Sequence, residues 1–203
     1  MIINAAIFWK QTNNAIIEYT ETNVKGISIT SKQNLAANKQ YGLNLSASIK
    51  PNAKWSINGN TNINNLNFNS GALQIFKEGW AADFNLNTTY KLPAGYAVQA
   101  FGDYNTRQVT LQGFETSRYY YSFGVKKEIP AKQLTLTLMA VNPFTESINQ
   151  RVILNGAGFE STSNNSYYNR AVKLTIGWEF GKLFDKKERK KINNDDVKGM
   201  DKG

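Results

Sequence analysis

The strongest constraint on this chain is a two-residue periodicity that runs through most of its length, while helical periodicity is hard to find. Between Val172 and Phe180 the apolar residues Val172, Leu174, Ile176, Trp178 and Phe180 alternate with Lys173, Thr175, Gly177 and Glu179. Successive side chains of a strand point to opposite faces, so such a segment has one apolar face and one wet face. The same count holds upstream. Phe84, Leu86, Tyr90 and Leu92 alternate with Asp83, Asn85, Asn87 and Lys91, and Tyr96, Val98, Ala100 and Tyr104 oppose Gln99 and Asp103, with Phe101 breaking the polar face. Tyr119, Tyr121, Phe123 and Val125 lie against Tyr120, Ser122, Gly124 and Lys126, and Leu134, Leu136, Leu138 and Ala140 against Gln133, Thr135 and Thr137. Strands are expected at about 2–11, 15–20, 26–34, 40–49, 53–66, 79–91, 95–109, 117–128, 132–142, 150–159 and 170–182. Several exceed the ~5–6 residues usual in soluble sheets, and those of ten or more match the ~9–11 residues that cross a bilayer at a tilt.

The composition suits a wall wetted on one side. There are 26 Asn against 4 Pro, 12% of residues are aromatic, and mean hydropathy is −0.47. A soluble core asks for more Leu, Ile and Val, whereas a sheet with one lipid-facing side and one aqueous side gives rings together with polarity. No stretch approaches the ~20 apolar residues of a membrane helix. Cysteine and histidine are both absent, which removes thiol and imidazole chemistry, disulfides and Cys/His zinc sites. The carboxylates show no recognisable metal spacing, so neither an enzyme nor a cofactor is expected. The net charge is +9. The body's Lys and Arg are scattered and not aligned on one face, so nucleic acid is not an expected partner.

The connections are of two kinds. "KLPAGY" and "EIPAKQ" are short, with Pro93 and Pro130 suited to tight turns. "NNLNFNSGALQIFKEGW", "QVTLQGFETSR" and "GFESTSNNSYYNR" are long and rich in Asn, Ser and Gly. Short turns at one end and long polar loops at the other mark an outer-membrane barrel, whose turns face the periplasm. Trp55 opens one expected strand and Trp80 another, and Trp178 and Phe180 lie near the end of the last, where membrane-interface rings belong.

Candidate sites follow from this geometry. Asp83, Asp103, Lys173 and Glu179 fall on the polar face and are candidates to line a lumen, the plainer expectation being a solvated wall with pairs to Arg107 or Lys126. Tyr167 and Tyr168, in the loop before the last strand, are candidates for stacking on a sugar or siderophore, because recognition concentrates on loops held by a rigid scaffold, the plainer expectation for a single pair being a place at the membrane interface. Residues 185–203, "DKKERKKINNDDVKGMDKG", are expected to be a charged, disordered periplasmic tail after a barrel at 1–184.

Three runs together resemble the C-terminal barrel of the outer-membrane β-barrel family related to TonB-dependent receptors. They are "NFNSGALQIFKEGWAADFNLNTTYKLPAGYAVQAFGDYNTRQVTLQG", "YYYSFGVKKEIPAKQLTLTLMAVNPF" and "RAVKLTIGWEFGKL". Gly124, Lys126 and Lys127 match a Gly-to-Lys step one residue shorter than the family's. Leu134 to Leu138 match its Leu/Thr strand, Asn142, Pro143 and Phe144 its Asn-aromatic corner, and Phe180 and Gly181 its closing aromatic-Gly pair. The family's plug, TonB-contacting segment and signal peptide are not expected within these residues. The resemblance implies an all-β, antiparallel up-and-down transmembrane β-barrel, here a partial barrel of about ten strands forming the C-terminal part of a larger one. It implies wall and extracellular loops for nutrient uptake at the cell outer membrane of a Gram-negative bacterium. The implied partners are outer-membrane lipid, the barrel assembly machinery, and a plug and TonB through the larger parent protein. The alternatives are a complete small barrel or adhesin-like protein without transport, and a soluble β-barrel carrier with an apolar interior.

Overall fold

The computed structural model describes residues 1–180, and these are almost entirely extended. Twelve strands follow in chain order: β1 (Ile2–Thr22), β2 (Ser28–Asn52), β3 (Trp55–Ser70), β4 (Ile75–Lys91), β5 (Tyr96–Asn105), β6 (Gln108–Thr110), β7 (Gly113–Glu115), β8 (Arg118–Ile129), β9 (Leu134–Val141), β10 (Ile148–Gly156), β11 (Phe159–Tyr167) and β12 (Ala171–Trp178). Eight of them form one antiparallel sheet in the order β1-β2-β3-β4-β5-β8-β9-β12, and four form a second in the order β11-β10-β7-β6. The large sheet is an up-and-down meander that does not close, with β1 and β12 at its two edges. The expected partial barrel is therefore an open eight-stranded wall. The segments expected to be long loops at 108–118 and 158–170 supply β6, β7 and β11 of the second sheet, and the strand expected at 150–159 supplies β10.

Local chemistry explains the turns at one end of the wall. Asn52 Oδ1 accepts from the backbone N–H groups of Lys54 and Trp55, both at 2.9 Å, and so closes the β2–β3 turn. Between β4 and β5 the single turn Pro93–Gly95 places Ala94 and Gly95 at positive φ, and between β8 and β9 Pro130–Lys132 ends with Gln133 at φ 51°. In both, proline sets the first φ and supplies no N–H that would go unpaired.

The strands reach beyond the membrane at the other end. β1 and β2 have 21 and 25 residues, against 8 each for β9 and β12. Only ~9–11 residues are needed to cross a bilayer. The sequence reading split each of these long strands in two, the first at the polar run Gln11–Asn14 and the second between residues 34 and 40. Pairing instead continues from Ile2↔Ser48 to Thr22↔Ser28, accommodated by a bulge at Thr12–Ala15 where Asn14 takes φ 53°. "NNLNFNSGALQIFKEGW" is likewise not a loop: β3 and β4 pair through it to Ser70↔Ile75, leaving only residues 71–74 as a turn. The physical reason is common to both corrections. A strand that has left lipid for water needs no apolar face, so a hairpin above the membrane reads as polar loop.

Candidate functional site

The register of the wall sorts its side chains into two continuous surfaces. On one surface Trp9, Tyr41 and Trp80 lie near the long-loop end, followed by rows such as Leu45, Thr61, Phe84, Tyr104 and Tyr119. Farther along come Phe123 and Ala140, Val125 and Leu138, then Leu174, Ile176 and Trp178. The large apolar residues here are exposed: Phe84, Leu86, Val98, Phe123, Val125, Leu138 and Leu174 keep 42–66% of their surface open. A soluble carrier would bury such residues inside, so this arrangement is opposite to that alternative.

Rings bound this surface at both ends. Trp55 donates its indole N–H to Thr88 Oγ1 at 2.8 Å and meets Tyr90 edge to face at 6.3 Å. Trp178 and Phe180, 5.8 Å apart, lie at the same short-turn end. Trp80 packs edge to face on Tyr41 at 5.7 Å at the opposite end; it sits inside β4 rather than opening a strand. From Trp80 to Tyr90 the strand advances about 33 Å at ~3.3 Å per residue, or about 25 Å along the membrane normal at a ~40° tilt. That equals the ~25 Å apolar band of outer-membrane barrels.

The opposite surface is lined chiefly by amides and hydroxyls. Asn58, Asn60, Asn62 and Asn64 of β3 stand beside Ser48, Ser46, Asn44 and Gly42 of β2, and Asn58, Asn60 and Asn62 oppose Asn87, Asn85 and Asp83 of β4. Asp83 and Asp103 lie on this face, as does Lys173 opposite Met139. The partners expected for these acids are engaged elsewhere: Lys126 pairs with Glu128 at 2.6 Å, and the Arg107 guanidinium lies 3.5 Å over the Phe114 ring. Asp103 instead accepts from the amides of Asn105 at 2.7 Å and Asn85 at 3.3 Å. Glu179 is exposed beyond β12, with its backbone N–H on Gln133 O at 3.0 Å.

The second sheet packs on this polar surface. Val109 of β6 fills the space beside Gly79, which shares a face with Asp83; a Cβ on Gly79 would lie 2.6 Å from Val109 Cγ1. Gln112, in the β6–β7 turn, is buried, and its side chain bridges the backbone of β1. Its Oε1 accepts from Thr20 N at 2.8 Å and its Nε2 donates to Thr20 O at 2.7 Å. Leu111 is fully buried, and a cavity of about 380 Å³ lined by Ile17, Phe68, Leu111, Val152 and Leu154 lies between the two sheets. None of this was visible as a site in the sequence, because Gln112 finds its partner 92 residues away and carries no local signal.

The corner Asn142-Pro143-Phe144 anchors the other insertion. Asn142 takes φ 42° at the end of β9, a conformation that Asn tolerates better than most residues. Its Oδ1 accepts from Tyr121 N at 2.9 Å and its Nδ2 donates to Asn169 O at 3.3 Å. The Tyr121 hydroxyl in turn accepts from Phe144 N at 3.1 Å. The buried Asn142 thus ties the start and finish of the β10–β11 insertion to the wall. A recess of about 360 Å³ opens beside it, where Asp103 and Tyr120 of the wall meet Gln150 and Tyr167 of the second sheet. Tyr167, expected in a loop, ends β11 and borders this recess; Tyr168 is 78% exposed and does not.

An open antiparallel wall with an exposed apolar band, rings at both margins and an amide-lined reverse face defines the class of transmembrane β-barrel proteins. Over residues 2–178 the chain matches the outer membrane protein beta-barrel family, and it belongs to that family. No curated protein and no solved structure matches it. Membership assigns the chain to the outer membrane. The expected tail at 185–203 and the last residues of the expected barrel, 181–184, lie outside the described residues.

Proposed function

We propose that this chain forms the wall and outward loops of a TonB-dependent receptor-like transporter in a Gram-negative outer membrane, and that it is the C-terminal part of a larger barrel. The observation that carries the reading is the open sheet. Hydrocarbon offers no partner for unpaired N–H and C=O groups, so the edges β1 and β12 require further strands beside them. Transporter barrels of this kind have about 22 strands, of which eight is a substantial arc. The amide-lined face supports a wet lumen, wide enough for loops to fold in, and the second sheet occupies that position. Asp83, Lys173 and Glu179 then face the lumen or a plug, and the protein acts without catalysis or cofactor. The plug, TonB and the barrel assembly machinery are its partners through the parent protein.

The test is uptake by a strain lacking the gene and by its complemented counterpart, each with and without an uncoupler of the proton-motive force. The reading requires accumulation of a scarce nutrient that is lost in the deletion and collapses with the uncoupler. Unaltered uptake, or passage that ignores the uncoupler, refutes it and favours a small barrel or adhesin.

A further inference from the structure

We propose that the recess between the wall and the second sheet is a binding site for a neutral oligosaccharide. This deepens the uptake reading by naming its substrate class, and rests on that reading for the direction in which a captured ligand moves. Two residues singled out separately in the sequence, Asp103 and Tyr167, converge here from β5 and β11, 64 positions apart. Arg118, Tyr120, Gln150 and Asn169 add polar groups to the lining, and Tyr119 and Ile148 add apolar surface. The volume of about 360 Å³ lies within the usual range for small-ligand sites.

The chemistry of the lining selects the ligand. Asp103 pairs with Tyr120 across β5 and β8, and Arg118 pairs with Asn105, so Asp103 and Arg118 are diagonal neighbours on one face. Such positions are about 7–8 Å apart, close enough for both long side chains to reach one ligand, and among the described residues the two make no ion pair with each other. A negatively charged ligand meets Asp103 and a positively charged one meets Arg118, so the pair favours a neutral polar molecule. The amides of Asn85 and Asn105 hold the Asp103 carboxylate in place while leaving it lone pairs for hydroxyl donors. Among the described residues, the Arg118 guanidinium and the hydroxyls of Tyr120 and Tyr167 have no hydrogen-bond partner. Gln150 donates to Glu115 Oε2 at 3.2 Å, leaving its carbonyl free. Donors and acceptors of both kinds, beside the rings of Tyr120 and Tyr167, match the vicinal hydroxyls and flat C–H face of a pyranose.

Full-length protein purified in detergent is titrated calorimetrically with glucan, xylan and mannan oligosaccharides of three to six units, a ferric hydroxamate and a set of neutral tripeptides. Saturable binding of at least one saccharide series is expected, weakened about tenfold or more by Tyr167→Ala and by Arg118→Ala and unchanged by Tyr168→Ala. Where Tyr167→Ala fails to fold, Tyr167→Phe and Asn169→Ala replace it, each with a smaller loss of affinity. No saccharide binding, binding of only the hydroxamate or the peptides, or saccharide binding indifferent to these substitutions overturns the proposal. Energy-dependent uptake of another nutrient together with absent saccharide binding removes this inference and leaves the uptake reading standing. Saccharide binding without energy-dependent uptake does the reverse.

Discussion

Replacing Gln112 by Ala tests whether the second sheet is latched to the wall. Gln112 and Thr20 are 3% and 7% exposed, and the side-chain amide satisfies both backbone groups of Thr20 at 2.8 and 2.7 Å. The substitution removes both bonds and leaves a buried N–H and C=O without partners, at about 1–3 kcal/mol each. Water entering the space vacated by the side chain recovers part of this, so the net loss is about 2–4 kcal/mol. That raises the open population of the β6–β7 hairpin by about 30- to 700-fold, since 1.4 kcal/mol is a factor of ten. Hydrogen exchange of the full-length protein in detergent reads this directly. The Thr20 amide and the amides of residues 108–115 exchange faster by that factor, while those of Leu86 and Leu138 in the belt keep their rates. Gln112→Glu is a sharper variant. It keeps an acceptor for Thr20 N–H but places a carboxylate oxygen against Thr20 O, so it destabilises at least as much as Ala. Unchanged exchange at Thr20 in both variants refutes the latch.

Other consequences are read the same way. Gly79→Leu drives a side chain into Val109, already 2.6 Å from an added Cβ, and releases the same hairpin, seen as new proteolytic cleavage within 106–117 and intact belt strands. Leu138→Lys or Ile176→Lys puts a charge in the lipid-facing band at a cost of about 2–4 kcal/mol near the midplane. Folded, heat-modifiable barrel in outer-membrane fractions falls accordingly, whereas Thr137→Lys, on the amide-lined face, leaves it near wild type. Equal loss from Thr137→Lys reverses the assignment of faces. Asn142→Leu removes both side-chain bonds and strains a residue at φ 42°, for a loss of about 2–4 kcal/mol measured as a lower urea midpoint. Asn142→Gly retains the backbone conformation and loses less.

The faces of the wall were legible because alternation is a local property. Leu134, Leu136 and Leu138 against Thr135 and Thr137 need no knowledge of their neighbours to be sorted, and the short turns at Pro93 and Pro130 carry their own chemistry. The illegible parts have non-local causes. Asn13, Asn14, Asn67 and Asn69 read as loop because a polar residue looks the same in a turn and in a hairpin standing in water. Val109 and Gln112 lie in a segment that reads as loop, and only the fold places Gly79 and Thr20 against them. The recess is of the same kind. Asp103 reads as a polar-face residue and Tyr167 as a loop candidate, yet their meeting depends on the second sheet lying on the wall.

The same distinction explains why the insertions gather at one end of this molecule. Along the bilayer every outward position answers to lipid and every strand to its neighbours, so the residues there are fixed by solvent and by hydrogen-bond pairing. Above the bilayer those constraints lapse, and chain that no longer has to span is free to fold back. The insertions between β5 and β8 and between β9 and β12 do so, and polar contacts hold them to the wall: Thr20 is bridged by Gln112, and Tyr121 is held by Asn142. Both anchors use a side-chain amide against backbone of the wall: Gln112 at the unpaired edge of β1, and Asn142 one residue past the end of β9. Changing either amide should therefore loosen the second sheet without unfolding the wall, and the recess bounded by Asp103 and Tyr167 should lose its shape with it.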